Sequence, residues 1–210
     1  SRRSKKSLKR LAEKRRSMER VGPVVIREVK HSEERRAAIG EALVWKSEQL
    51  EKRGARNPFS DPRAVKFLTA VAGIESTDTV RVFELTCAGV RAAVVMAVMS
   101  DDELIYYINA INKQRFFKFS PGDLLLLHLF EICYAEELRF FDFGLGDEAY
   151  KNLWADEHPG IHVALLPLSQ IGRIGCMMER WLLQAASYAK RSSQISRWAY
   201  WLNRVMRMRS

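Results

Sequence analysis

The sequence predicts an α/β protein with a mixed, mostly antiparallel β-sheet, helices on both faces of that sheet and a helical C-terminal tail. Three runs rich in β-branched and aromatic residues follow one another at 79–87, 90–99 and 103–111, and short turns join them. Segments with apolar residues at helical spacing lie on both sides of these runs. A chain of this kind buries its apolar surfaces by covering a sheet with helices.

Four elements are expected before the three strands: a basic helix at 1–20, a strand at 24–29, a helix at 32–53 and a helix ending near residue 72. Ser32 is a candidate N-cap for the first long helix, and Gly54 is expected to end it. The last of these helices begins in the run NPFSDPR, where Ser60 or Asp61 caps it and Pro62 suits the first turn.

After the three strands we expect a polar loop at 112–119, an apolar helix at 120–137, a short strand at 139–143, a short helix at 147–155, a strand at 161–166 and helices at 170–189 and 193–208. Pro121 suits the first turn of the apolar helix, and Gly144 and Gly146 are expected to end the short strand.

The positive charge of the chain is concentrated at its two ends. The net charge is +10, yet residues 21–189 have a net charge of −4. The sequence therefore predicts three parts: a basic helix or interdomain linker at 1–20, a folded domain at 21–168 and a basic, aromatic helical tail at 169–210.

Several classes of protein are excluded by what the sequence lacks. No apolar run reaches 18 residues, so no membrane-spanning helix is predicted, and the first residues are too polar for a secretory signal. The three cysteines are isolated, which favours a reducing, cytoplasmic compartment. No metal site is predicted, because the four histidines show no ligand spacing. Walker, GxSxG, HExxH and CxxC motifs are absent.

The start of the apolar helix is the first candidate site. Ser120, Pro121 and Gly122 precede a helix N-terminus whose free N–H groups and positive dipole suit a phosphate. Lys118 and Arg115 lie just upstream. The same residues also suit a simple helix start with Ser120 as its cap.

The run FDFGLGDEAYK at 141–151 is the second candidate site. Asp147 and Tyr150 are three residues apart after a strand end, so they share one face of a helical turn. A tyrosine there can protonate a leaving thiolate, and an aspartate can accept a proton from an amine or hydroxyl. The alternative is that Asp147 caps a helix and Tyr150 packs against the core.

These residues also resemble a known family. NPFSDPR at 57–63 and SPGDLLLLHLFEICYAEELRFFDFGLGDEAYKNLWADE at 120–157 are similar to the GNAT-like acyltransferase domain of the cellulose-biosynthesis-associated (CelD-type) proteins. The most specific part is D-F-x-x-G-D-x-x-Y-K followed by Trp, which spans residues 142–154 here. The resemblance covers about residues 1–166. It implies a GNAT-like sheet and a further GNAT-like half ahead of this one, with 1–20 as the link.

The resemblance also implies a cofactor, acetyl-coenzyme A or another acyl-coenzyme A, and transfer to an amine or hydroxyl by direct attack. The pantetheine arm is expected between the strands at 103–111 and 139–143. The residues expected to bind the cofactor are Ser120, Pro121, Gly122, Asp123 and Lys118. The residues expected to be catalytic are Tyr150, Asp142 and Asp147. The residues expected to contact the acceptor are Lys151, Trp154 and Arg115.

Three functional classes are consistent with the sequence. The first is an acyltransferase acting on a small molecule or saccharide, such as an exopolysaccharide precursor. The second is a FemX-type transferase that takes an aminoacyl group from tRNA, whose phosphates the basic ends would meet. The third is a non-catalytic GNAT-fold module. The tail residues, which include Trp181, Trp198 and Trp201, suit either packing or the surface of an anionic membrane, which would make the protein membrane-peripheral.

Overall fold

The structure is a computed structural model that describes residues 5–55, 57–74, 78–144, 148–160 and 164–191. The chain divides into two compact units, Ser1–Asp156 and Glu157–Ser210. The first unit contains the sheet and every described residue of the candidate site.

The sheet has five strands in the order β1-β2-β3-β4-β5. The strands are β1 (Val24–Val29), β2 (Val80–Cys87), β3 (Val90–Ser100), β4 (Glu103–Ile111) and β5 (Phe140–Asp142). Neighbours from β1 to β4 run antiparallel, whereas β5 runs parallel to β4. The predicted mixed, mostly antiparallel sheet is therefore confirmed.

Helices cover both faces of this sheet, as predicted. The helices of the first unit are α1 (Lys5–Glu19), α2 (Ser32–Lys52), α3 (Pro62–Ala72), α4 (Lys113–Phe116) and α5 (Pro121–Ala135). Leu11 of α1 and Leu125 of α5 are buried in one core cluster. Ile39 of α2 and Leu68 of α3 are buried in a second cluster on the other face. The two cores lie on opposite faces because side chains alternate along each strand.

A β-bulge in β4 changes which side chains face which core. Tyr106 pairs with Ala97 and Ile108 pairs with Met96, so Tyr107 is an extra residue without a partner on β3. Tyr106 consequently lies in the core beneath α1 and α5, whereas Ile108 lies in the core beneath α2 and α3. By alternation, Asn109 then projects on the α5 side.

Local details correct several sequence expectations. The segment 112–119 is not a loop, because α4 and a 3-10 turn at Phe117–Phe119 occupy it. Ser32 does not cap α2: its hydroxyl donates to the Gly73 carbonyl oxygen at 2.7 Å, and His31 occupies the N-cap position. Asp61 caps α3, since its carboxylate accepts a hydrogen bond from the Arg63 N–H.

The region after β5 differs more from what the sequence predicts. Its only helical element before residue 156 is a 3-10 turn at Lys151–Leu153, among residues 148–156. Residues 164–166 of the expected strand at 161–166 form no strand, and 161–163 lie outside the described residues. The expected helix at 193–208 also lies outside them.

The second unit contains one described helix, α6 (Gln170–Arg191). Ile174, Met177, Met178 and Trp181 are exposed on it, as is Leu182. Among the described residues, no helix combines the length and the apolar character that crossing a membrane requires.

Candidate active site

β4 and β5 pair over three residues only and then separate. The pairs are Glu103 with Phe140, Leu104 with Phe141 and Ile105 with Asp142. The chain bends immediately after β5: Gly144 has a φ of +67°, and its N–H donates to the Asp142 carboxylate at 2.7 Å. The outer edge of β4 beyond Ile105 therefore has no strand beside it in the described part of the chain. Its backbone N–H and C=O groups on that edge are left for side chains or a ligand.

Tyr150 returns from the loop after β5 to the unpaired part of β4. Its hydroxyl accepts a hydrogen bond from the Asn109 side-chain amide at 3.3 Å. Burial, together with the negative charge of Glu148, raises the pKa of Tyr150 to about 12. The hydroxyl is therefore protonated at neutral pH, and its own hydrogen can be donated to an anion in the gap between β4 and β5.

Lys46 reaches the same asparagine from α2. Its Nζ donates to the Asn109 backbone oxygen at 3.1 Å and lies 3.4 Å from the side-chain oxygen. Burial lowers the pKa of Lys46; the charge of Glu148 opposes this shift and that of Arg53 adds to it. Asn109 thus connects Lys46 on one side with Tyr150 on the other. Sequence reasoning missed both Lys46 and Asn109, although a lysine three residues after Leu43 on the buried stripe of α2 is a usable signal.

The loop that carries Tyr150 is held by an internal ion pair. Lys151 Nζ lies 2.8 Å from Glu148 Oε2 and donates to the Gly144 carbonyl oxygen at 3.1 Å. Burial would raise the pKa of Glu148, but the hydrogen bond and charge of Lys151 outweigh it and lower that pKa. The ion pair therefore ties the segment before Tyr150 to the bend at Gly144.

The N-terminus of α5 lies beside α1. Ser120 is the N-cap residue, with a φ of +52°, and its side chain makes no capping hydrogen bond. Its hydroxyl instead accepts a hydrogen bond from Lys14 Nζ at 2.6 Å. A Cβ added at Gly122 would lie 3.1 Å from Cγ2 of Ile111, so the first turn of α5 approaches the end of β4 closely. A lysine beside the positive end of a helix is unfavourable unless an anion accompanies it.

This fold and these residues correspond to a known family. A family model described as an acetyltransferase (GNAT) domain matches residues 5–152. The chain belongs to the GNAT acetyltransferase family. No curated protein matches its sequence significantly.

The solved structures that this chain resembles are distant from it in sequence. A possible acetyltransferase from Clostridium difficile 630 is 12% identical, with a TM-score of 0.51 over 68% of this chain and 98% of that chain. An aminoglycoside acetyltransferase from an uncultured soil metagenomic sample, solved with trehalose, is 12% identical, with a TM-score of 0.46 over 70% and 97%. The ribosomal-protein-S18-alanine N-acetyltransferase of Escherichia coli is 18% identical, with a TM-score of 0.42 over 63% and 74%. At 12% identity, the likeness to the Clostridium difficile protein shows the fold alone.

Within this GNAT domain, the structure groups the expected cofactor-binding residues at one place. Ser120, Pro121, Gly122 and Asp123 form the first turn of α5. Lys118 is exposed in the 3-10 turn before it, with its Nζ 4.9 Å from the centre of the Phe119 ring. The Asp123 carboxylate accepts a hydrogen bond from the Trp154 indole at 3.3 Å. Asp123 therefore also links α5 to the loop that follows β5.

The residues of this GNAT domain that are expected to contact the acceptor differ in their exposure. Lys151 is 7% exposed within its ion pair, and Trp154 is 2% exposed with its ring packed on Phe130. Arg115 is exposed, with its guanidinium 5.3 Å from the centre of the Phe116 ring. Lys151 and Trp154 therefore support the loop that carries Tyr150.

The three residues expected to be catalytic also differ in their surroundings. Tyr150 lies at the gap between β4 and β5. Asp142 is exposed, and its carboxylate is engaged with the Gly144 N–H. Asp147 lies outside the described residues, so its role stays a prediction.

Proposed function

We propose that this GNAT domain transfers an acyl group from acetyl-coenzyme A, or another acyl-coenzyme A, to an amine or hydroxyl of a small-molecule acceptor. The observation that carries the proposal is the Tyr150 hydroxyl, protonated and held by Asn109 where β4 and β5 separate. A donor at that place can stabilise the negative charge that develops on a leaving sulfur.

The residues at the start of α5 fit the diphosphate of the coenzyme. Free N–H groups of the first turn and the helix dipole favour an anion there. Lys14 adds a positive charge at the same helix end, where it has Ser120 as its hydrogen-bond acceptor. Gly122 fits because the first turn packs closely on Ile111. The bound coenzyme supplies the activated acyl group as a thioester.

The reaction that these residues support is a direct transfer. The acceptor nitrogen or oxygen forms a bond to the acyl carbon, and the bond between that carbon and sulfur breaks. The acceptor loses one proton and the thiolate gains one, so no oxidant or reductant is needed. With a pKa of about 12, Tyr150 keeps its proton while the thiolate forms and contributes a hydrogen bond to the sulfur. Asn109 positions the hydroxyl, and Lys46 positions Asn109.

The proposal extends to the class of acceptor and to where in the cell the protein acts. The CelD-type motif at 142–154 supports a saccharide acceptor, such as an exopolysaccharide precursor. The exposed apolar residues of α6 and the six basic residues of 190–210 support attachment to an anionic membrane surface.

The test is coenzyme binding and turnover by the full chain. Calorimetry with acetyl-coenzyme A should show binding, and a thiol reagent should detect coenzyme A release in the presence of amine and amino-sugar acceptors. Absence of both binding and release overturns the proposal. Salt-dependent binding of aminoacyl-tRNA without coenzyme binding would replace it with a FemX-type transferase.

A further inference from the structure

A cavity of about 320 Å³ lies between the C-terminal half of α2 and the segment that follows β4. We call it the α2–β4 groove, and it is lined by Trp45, Gln49, Lys52, Arg53, Asn112 and Lys113, among others. Side-chain amides and an indole ring thus accompany three cationic side chains. The groove suits a polar ligand with a face that can pack on an aromatic ring.

Positive charge in this groove is poorly compensated. Within the described residues, Lys52, Arg53 and Lys113 form no ion pair within 4.0 Å. Glu48 is the one acidic residue among the described residues that line the groove. Burial lowers the pKa of Lys113, and the charges of Arg53 and Lys52 lower it further. These cations are therefore close enough to repel one another, and an anion between them would remove that repulsion.

The groove is lined by residues that are close in sequence to Lys46 and Asn109 of the candidate site. Lys46 follows Trp45 on α2, and the charges of Arg53 and Lys113 lower its pKa as well. Its Nζ contacts Asn109, which lies two residues before the groove residue Ile111 on β4, a separation of roughly 7 Å along a strand. A ligand with its anionic group in the groove would therefore need a span of roughly 7 Å or more to bring a second group near the Tyr150 hydroxyl.

We propose that the acceptor of this GNAT domain carries a phosphate group, which binds in the α2–β4 groove and directs another part of the same molecule, with its amine or hydroxyl, toward Tyr150. The proposal rests on the acyltransferase function proposed above and names its acceptor class. A phosphate is favoured over a carboxylate because three cations that form no ion pair in the described part of the chain suit a doubly charged group with several acceptor oxygens.

Three small amines of closely related shape test this proposal. O-phosphoethanolamine, β-alanine and ethanolamine share an aminoethyl group and differ in carrying a phosphate, a carboxylate or a neutral hydroxyl. We titrate the isotope-labelled full chain and follow binding by NMR. The dissociation constant should be at least about tenfold lower for O-phosphoethanolamine than for ethanolamine, because hydrogen bonds to a charged group are stronger than those to a neutral group by about this factor in affinity. Equal affinity overturns the proposal. Equal affinity of β-alanine and O-phosphoethanolamine overturns the choice of phosphate.

A matched pair of variants locates the binding. Lys113→Gln should weaken O-phosphoethanolamine binding about three- to tenfold and leave ethanolamine binding unchanged. Lys66→Gln removes the same charge from an exposed position on α3 and should change neither. Unchanged binding in Lys113→Gln, with an unchanged melting temperature, overturns the groove as the site.

Coenzyme binding separates this proposal from the acyltransferase function. Binding of O-phosphoethanolamine that depends on Lys113, in a chain that binds no coenzyme A, would leave the groove as an anion site and reject acyl transfer. Coenzyme A release with ethanolamine, but no preference for O-phosphoethanolamine, would support acyl transfer and reject the phosphate-bearing acceptor.

Discussion

Asn109 on β4 and Tyr150 beyond β5 are joined by a hydrogen bond of 3.3 Å although 41 residues separate them in the sequence. This bond spans the region where the parallel strands β4 and β5 separate. It fixes the hydroxyl of Tyr150 against the strand whose edge is free. Tyr150 therefore has a defined position relative to β4 at the point where acyl transfer is proposed.

Replacing Tyr150 by Phe removes the hydroxyl and keeps the packed ring. We expect the turnover number to fall about 10²-fold, the effect of losing one donor to a developing negative charge. The affinity for coenzyme A, measured by calorimetry, should change little, since the expected diphosphate contacts are at α5. An unchanged turnover number would reject Tyr150 as the donor.

Replacing Asn109 by Ala should reduce turnover, because the Tyr150 hydroxyl loses the hydrogen bond that positions it. The double variant Asn109→Ala/Tyr150→Phe should then be no slower than Tyr150→Phe alone, because the two residues act as one unit. Turnover numbers of the four chains give the coupling. Fully additive losses would show that Asn109 acts independently of Tyr150.

Replacing Lys14 by Met should weaken coenzyme A binding about three- to tenfold by removing the cation at the start of α5. Lys9→Met is the matched control, because Lys9 is another lysine of α1 and is exposed. The comparison is made by calorimetry at two salt concentrations. Equal affinities in the two variants would place the diphosphate elsewhere.

Replacing Lys46 by Met should change how stability depends on pH. Between the lowered pKa of Lys46 and its ordinary value of 10.5, the folded chain binds fewer protons there than the unfolded chain. The free energy of unfolding therefore gains a contribution that rises with pH across this window, and the variant loses that contribution. Urea unfolding at about pH 7 and pH 9.5, below the usual ionisation of tyrosine, measures the difference. Identical pH dependence in both chains would contradict the burial of a charged Lys46.

Local patterns were enough to predict the strands β1 to β5 and the helices α1, α2, α3 and α5. The bounds of β1 match the predicted strand at 24–29, and Asp61 caps α3 as one of the two predicted candidates. These features depend on neighbours in the sequence, such as alternation, capping and a proline in the first turn.

Contacts between distant residues were not predictable in the same way. Ser32 resembles a cap in sequence but bonds to the Gly73 carbonyl, which only the packing of α2 on α3 brings near. Lys46 and Asn109 belong to different elements and carry no motif. Lys151 and Trp154 lie in the motif that resembles the CelD-type proteins, yet the burial of Trp154 follows from its packing on Phe130, which tertiary structure places beside it.

The bulge at Tyr107 sets the face on which the later residues of β4 lie. With regular pairing through Tyr107, the register beyond it would slip by one residue, and every later side chain would turn to the opposite face. Asn109 would then point beneath α2, and the amide would lose Tyr150 while every residue named in the site kept its identity. Deleting Tyr107 leaves Ile108 paired with Met96 and Asn109 paired with Val95, so it keeps these faces. Loss of the bulge residue should therefore be tolerated better than a register slip of the strand.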